Sequence, residues 1–160
     1  MSANARPSAP SRIDAAACTR EQIDPRGPRF GGAVTTVVLA AALILVGTSA
    51  GTILIAWQVV VFGLGALVGL HAQPYGIVFR RFVRPRLGPP AEMEDAAPPR
   101  FAQAVGLGFL VIALAASLVG ATVVATVAVA FALAAAFLNA VFDFCLGCEV
   151  YLLGKRLLHR

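Results

Sequence analysis

Charge is what this chain is short of. Only 13% of its 160 residues are Asp, Glu, Lys or Arg, where a water-soluble domain carries about a quarter. The apolar residues, 59% of the total, are gathered into long runs. Together these exclude an ordinary soluble globular domain and point to an integral membrane protein. Cysteine is scarce too: there are three, and a disulfide scaffold is excluded. Histidine is limited to His71 and His159, a poor supply for a zinc site that wants four ligands. The first thirty residues hold no apolar core of signal-peptide length, so the first hydrophobic run is expected to stay as a span. The net charge of +5 comes without a basic patch interleaved with aromatics, which excludes a nucleic-acid partner and leaves topology and the anionic lipid bilayer as its meaning.

Four runs are present. The sequence predicts spans at about 31–48, 52–71, 102–119 and 121–146, a polar connection at 72–101 broken by prolines, and a flexible tail at 1–22 ahead of one membrane domain at 23–156. Ala and Gly fill the third and fourth runs, which lets helix backbones approach closely in lipid. An all-α bundle of four transmembrane helices is the expected fold. Basic residues occupy the tail (Arg6, Arg12, Arg20, Arg26, Arg29), the connection (Arg80, Arg81, Arg84, Arg86, Arg100) and the end (Lys155, Arg156, Arg160), whereas the two short turns carry no charge. The expected localisation is the plasma membrane, with both termini and the long connection cytoplasmic.

The chain also repeats itself. DPRGPRFGGAV (24–34) and DAAPPRFAQAV (95–105) share Asp, Pro, Arg, Phe, Ala and Val at matching positions, and each leads into a hairpin of two hydrophobic runs. Two parallel helical-hairpin repeats about an axis along the membrane normal account for this. Asp24 and Asp95 are candidate caps, and proline suits a first helical turn. Arg29 and Arg100 are expected at headgroup level as interfacial anchors, or as a binder of a small anion. Trp57 and Gln58 read as anchors near the outer face.

The chemistry concentrates in FDFCLGCEVY (142–151). On a continuous helix Cys145 and Cys148 would share a face with Cα atoms about 5 Å apart, within disulfide range. Three readings stand: a redox or sulfur-transfer pair, two small packing residues, or part of a metal site. Asp143 is expected either to pair with Arg29 or Arg100 or to relay a proton, and Asn139 to bond between helices. A gapless match of GLHAQPYGIVFR (69–80) to CLGCEVYLLGKR (145–156) pairs Tyr75 with Tyr151 and puts His71 across from the pair, where it could tune a thiolate. Cys18 reads as a passive tail cysteine. No cofactor and no metal is assigned.

RFAQAVG after Pro-Arg, AFLNAVFDFCLGCEVYLL at the end and four spans between them resemble a family of small actinobacterial membrane proteins that constitutes a domain of unknown function, over about residues 20–156. More loosely, the architecture is similar to the DoxX and MauE group of redox-associated four-helix membrane proteins. The resemblance implies thioredoxin-like or rhodanese-type thiosulfate sulfurtransferase partners. The expected function is therefore a membrane thiol–disulfide or sulfur-relay protein acting through Cys145 and Cys148. The alternatives are a small transporter or permease-like subunit and a purely structural membrane protein.

Overall fold

The computed structural model describes residues 21–90 and 92–158; the tail with Cys18, and His159, lie outside them. Two-residue strands β1 (Gln22–Ile23) and β2 (Glu94–Asp95) pair antiparallel, Gln22 with Asp95 and Ile23 with Glu94. Each strand leads straight into a long helix. Asp24 Oδ1 accepts the Arg26 amide at 3.0 Å ahead of α1 (Arg26–Ile44), and Asp95 Oδ1 accepts the Ala97 amide at 3.0 Å ahead of α4 (Ala97–Leu118). With prolines 25, 28, 98 and 99 in or beside the first turns, these aspartates satisfy amides that the helix itself leaves open.

Helix α2 (Ser49–Gly63) continues as a π-helical turn through Val68. The first hairpin turn uses Gly47 at φ 85° and the Thr48 hydroxyl, which accepts the Gly51 amide at 3.2 Å. Short helix α3 (Pro74–Val78) runs on through a π turn to Val83 and a 3₁₀ turn to Arg86. Helix α5 (Thr122–Phe142) follows α4 after Gly120 at φ 76°, and α6 (Leu146–Leu158) closes the described chain.

The long helices form a closed ring. α1 packs on α2 and α5, and α4 packs on α2 and α5, leaving α1 diagonal to α4 and α2 diagonal to α5. Leu39, Ile55, Val61, Leu110 and Val129 fill the centre, with Ala42, Ala113, Ala128 and Ala132 permitting close approach. The outside is apolar as well: Ile44 is 83% and Leu118 71% exposed. Four helices, Arg26–Ile44, Ser49–Val68, Ala97–Leu118 and Thr122–Phe142, are long and apolar enough to cross a membrane, about 30 Å each at 1.5 Å per residue.

The first and third helices start about five residues ahead of the hydrophobic runs, with Asp24 and Asp95 at the amides of their first turns. The connection after α2 carries short helical segments up to Arg86 and is not one continuous helix. One expectation is corrected. The fourth helix stops at Phe142 and does not run to 146: Asp143 turns left-handed at φ 56°, and the Phe144 amide folds back to the Leu138 carbonyl at 3.3 Å. Short polar aspartate tolerates that conformation better than most residues.

Candidate functional site

That break is what places the cysteines. Cys145 and Cys148 are joined in a disulfide, with Cα atoms 5.2 Å apart. They lie at the N-terminus of α6 and not on a continuation of α5. The Cys148 amide donates to Cys145 Sγ at 3.4 Å, so the sulfur stands where a capping oxygen usually would. Both residues are half-buried. Gly147 between them fits because it has no side chain: a Cβ there would come within 2.6 Å of both Cα and Cβ of Ala102 on α4. The Phe101 and Tyr151 rings, 5.7 Å apart, hold the next turn of α6 to α4.

From the cysteine turn a cavity of about 690 Å³ extends between α1, α4 and α5. Its cysteine end is polar, with Asp143, Glu149, Asn139 and Gln103. Its far end is aromatic, with Phe62, Phe109 and Phe131. Phe109 and Phe131 stack at 5.9 Å between ring centroids, and Gly106 leaves room for the Phe62 ring, which a Cβ there would strike. Asn139 donates to the Pro28 carbonyl at 3.4 Å, the interhelical bond its sequence position suggested.

The expected charged residues separate into distinct roles. Asp143 is exposed, with Arg29 Nη1 3.7 Å from its carboxylate, while Arg29 Nε donates to the Ala140 carbonyl at 3.3 Å. Arg100 instead donates to the carbonyls of Ala66 at 2.9 Å and Leu67 at 3.0 Å. Each arginine thus covers the open C-terminal carbonyls of a helix from the opposite hairpin, favourable to a cation both by hydrogen bonding and by the helix dipole. His71 is not brought to the cysteines. It lines a second, smaller cavity of about 190 Å³, with Nδ1 3.6 Å from Glu21 Oε1 and Arg80 donating to its carbonyl oxygen. Among the described residues no group of three His, Cys, Asp or Glu gathers to hold a metal.

Asp24 anchors that second cavity. Arg26 grips its two carboxylate oxygens through Nε and Nη2, both at 3.0 Å, and Arg84 approaches to 4.0 Å. The Arg26 side-chain bonds, opposed by burial, hold the Asp24 carboxyl below its usual value. Its stabilising effect is therefore complete above the ordinary carboxylate range near pH ~4 and disappears as pH falls through the lowered value. Thermal unfolding of wild type and Asp24→Asn should differ by a constant amount above about pH 5, and the gap should close below about pH 4.

A buried polar network went unnoticed in the sequence. Tyr75 donates to Gln58 Oε1 at 2.6 Å and accepts from Trp57 Nε1 at 2.9 Å, and Gln73 Nε2 donates to Gln103 Oε1 at 3.3 Å. Trp57 and Gln58 are thus tied to the segment after α2 through Tyr75. The available signal was two glutamines and a tyrosine, Gln58, Gln73 and Tyr75, within or beside an apolar run, where polar groups need partners.

The fold and site together define an all-α bundle of four long apolar helices, compatible with a multi-pass membrane protein, ending in a cysteine pair at the mouth of a long cavity. The family model described as Domain of unknown function (DUF4395) matches residues 23–156, and the chain belongs to that family. No curated protein and no solved structure matches it.

Proposed function

We propose that this is a multi-pass membrane protein that exchanges electrons or sulfane sulfur through Cys145 and Cys148 with a thioredoxin-like or rhodanese-like protein on the cytoplasmic side. The observation that carries the reading is the placement of the pair: disulfide-bonded, half-buried and set at a helix N-terminus beside a large cavity.

In exchange, a partner thiolate attacks one sulfur of the Cys145–Cys148 bond, forming a mixed disulfide and releasing the other sulfur as a thiolate. A second partner thiol then displaces the pair, leaving Cys145 and Cys148 reduced and the partner oxidised. The Cys148 amide and the positive end of the α6 dipole both face Cys145 Sγ, making it the sulfur better placed to carry negative charge. A persulfide attacking the same bond through its terminal sulfur forms a trisulfide with one cysteine and frees the other as a thiolate, which then attacks the middle sulfur, expels the persulfide's own thiolate and leaves the sulfane sulfur bridged between Cys145 and Cys148.

Orientation and repeat belong to this proposal. Arg29 on α1 and Arg100 on α4 lie in the first turns of those helices, Arg80 and Arg84 in the segment after α3, and Lys155 and Arg156 on α6, whereas the two short turns within the hairpins are uncharged. That bias favours a cytoplasmic cysteine end. The exposed apolar outer surface supports insertion in lipid, and amphipathic α6, with exposed Val150, Leu153 and Leu157 beside Lys155 and Arg156, suits the interface. The reciprocal arginine contacts and the matched aspartate caps support a pseudo-twofold repeat of two hairpins.

A membrane-impermeant maleimide applied to intact cells after mild reduction should leave Cys145 and Cys148 unlabelled. It should label them in inside-out vesicles. Labelling from outside only would overturn both the orientation and the partner class.

A further inference from the structure

We propose that the cavity beside the cysteine pair binds a lipid-soluble quinone, which reoxidises Cys145 and Cys148 after each reduction. The inference rests on the thiol-exchange reading above, since only a pair that becomes reduced needs an oxidant. Three features of the cavity point to this occupant.

Its volume of about 690 Å³ lies in the range of small-molecule sites. Its polarity is graded: Asn139 and Gln103 lie near the cysteines, and Phe131 stands eight positions back along α5, about 12 Å deeper at 1.5 Å per residue. A ring bearing carbonyl oxygens fits the first part, where side-chain amides can donate. An isoprenoid tail fits the second, between aromatic walls. The cavity is also open along its side, where lining residues Phe131 and Val105 are 61% and 40% exposed on the apolar outer surface of the bundle. A ligand dissolved in the bilayer reaches such an opening without crossing water.

A phospholipid chain would fill the aromatic part equally well. It gives no reason for a redox-competent pair to form the cavity's mouth. The quinone does, and the reaction balances. Two thiols lose two electrons and two protons and form the S–S bond, while the quinone gains both at its carbonyl oxygens and leaves as the quinol. No metal or further acceptor is required.

The test uses full-length protein in detergent, reduced and freed of reductant, mixed with decylubiquinone, whose ring is fully substituted and so resists direct addition of thiols. Disulfide formation, read by a thiol-alkylation gel shift, should proceed with one quinol per disulfide. Its rate should exceed that of glutathione at equal thiol concentration by on the order of a hundredfold, reflecting a bound oxidant held against the dithiol. Ala135→Leu, which narrows the cavity, and exposed Phe131→Ala, which opens its wall with little risk to folding, should each slow the reaction about tenfold, the equivalent of roughly 1.4 kcal/mol.

Oxidation no faster than that of glutathione overturns the proposal, as does a rate indifferent to both variants or a cavity that retains only phospholipid on extraction. Exchange of the wild-type disulfide with reduced thioredoxin is measured in parallel. If that exchange proceeds while quinone does nothing, this inference alone fails. If neither reaction occurs, the thiol-exchange reading fails with it.

Discussion

Cys145→Ser/Cys148→Ser is expected to abolish exchange with any dithiol partner while leaving the bundle folded. The bond closes a loop of only four residues, so the chain-entropy account gives it about 2 kcal/mol of stability. That is modest beside a core built from four packed helices. The single variants should behave differently from the double. With Cys145 as the better-stabilised thiolate and so the nucleophile of the reduced pair, Cys148→Ser leaves Cys145 to attack an oxidised partner and form a mixed disulfide with no resolving thiol, and the adduct accumulates. Cys145→Ser should trap far less, because the Cys148 amide that faces Cys145 Sγ has no counterpart aimed at Cys148 in the described structure. Non-reducing gels of detergent-solubilised membranes read the adduct directly and, by mass spectrometry, name what is attached. Equal trapping by both single variants would remove the assignment of Cys145 as the nucleophile. No trapping by either would remove the exchange reading.

How far the site could be read in advance depended on whether local chemistry or tertiary contact decided each feature. Four helices were legible because uncharged apolar runs of about twenty residues match the length and composition of a helix able to cross a membrane. The roles of Arg29 and Arg100 were half legible: their common position before a hydrophobic run marked them as an equivalent pair, but the carbonyls they cover belong to helices far away in the sequence. The break at Asp143 was not legible. Nothing in AVFDFC is a glycine or proline, and a left-handed aspartate is chosen only because the returning segment finds α4 to pack on. The same contact explains Gly147, whose place between two cysteines gives no local sign that Ala102 lies against it. His71 shows the opposite failure. The alignment of 69–80 with 145–156 placed it opposite the pair by register alone, while its side chain turns toward Glu21 on another surface.

Gly147 and Gly154, both in α6, permit an internally controlled experiment. At Gly154 a Cβ meets nothing within 4 Å, so alanine should raise stability by roughly 0.5–1 kcal/mol through helix propensity. At Gly147 the added atom meets the backbone of α4, which cannot swing aside as a flexible side chain would. Gly147→Val should therefore cost about 1–3 kcal/mol, or else lift the start of α6 away from Ala102. Two measurements separate those responses. A fall in thermal stability with unchanged alkylation of the reduced cysteines means that strain is absorbed in place. Faster alkylation at little cost in stability means that α6 has moved and the cysteines have left the cavity mouth. In the second case partner exchange should persist, since it needs only accessible sulfurs, while oxidation by a cavity-bound quinone should fall with the lost proximity. If Gly147→Val is as harmless as Gly154→Ala on every readout, the close seat of the pair against α4 is not what makes it work.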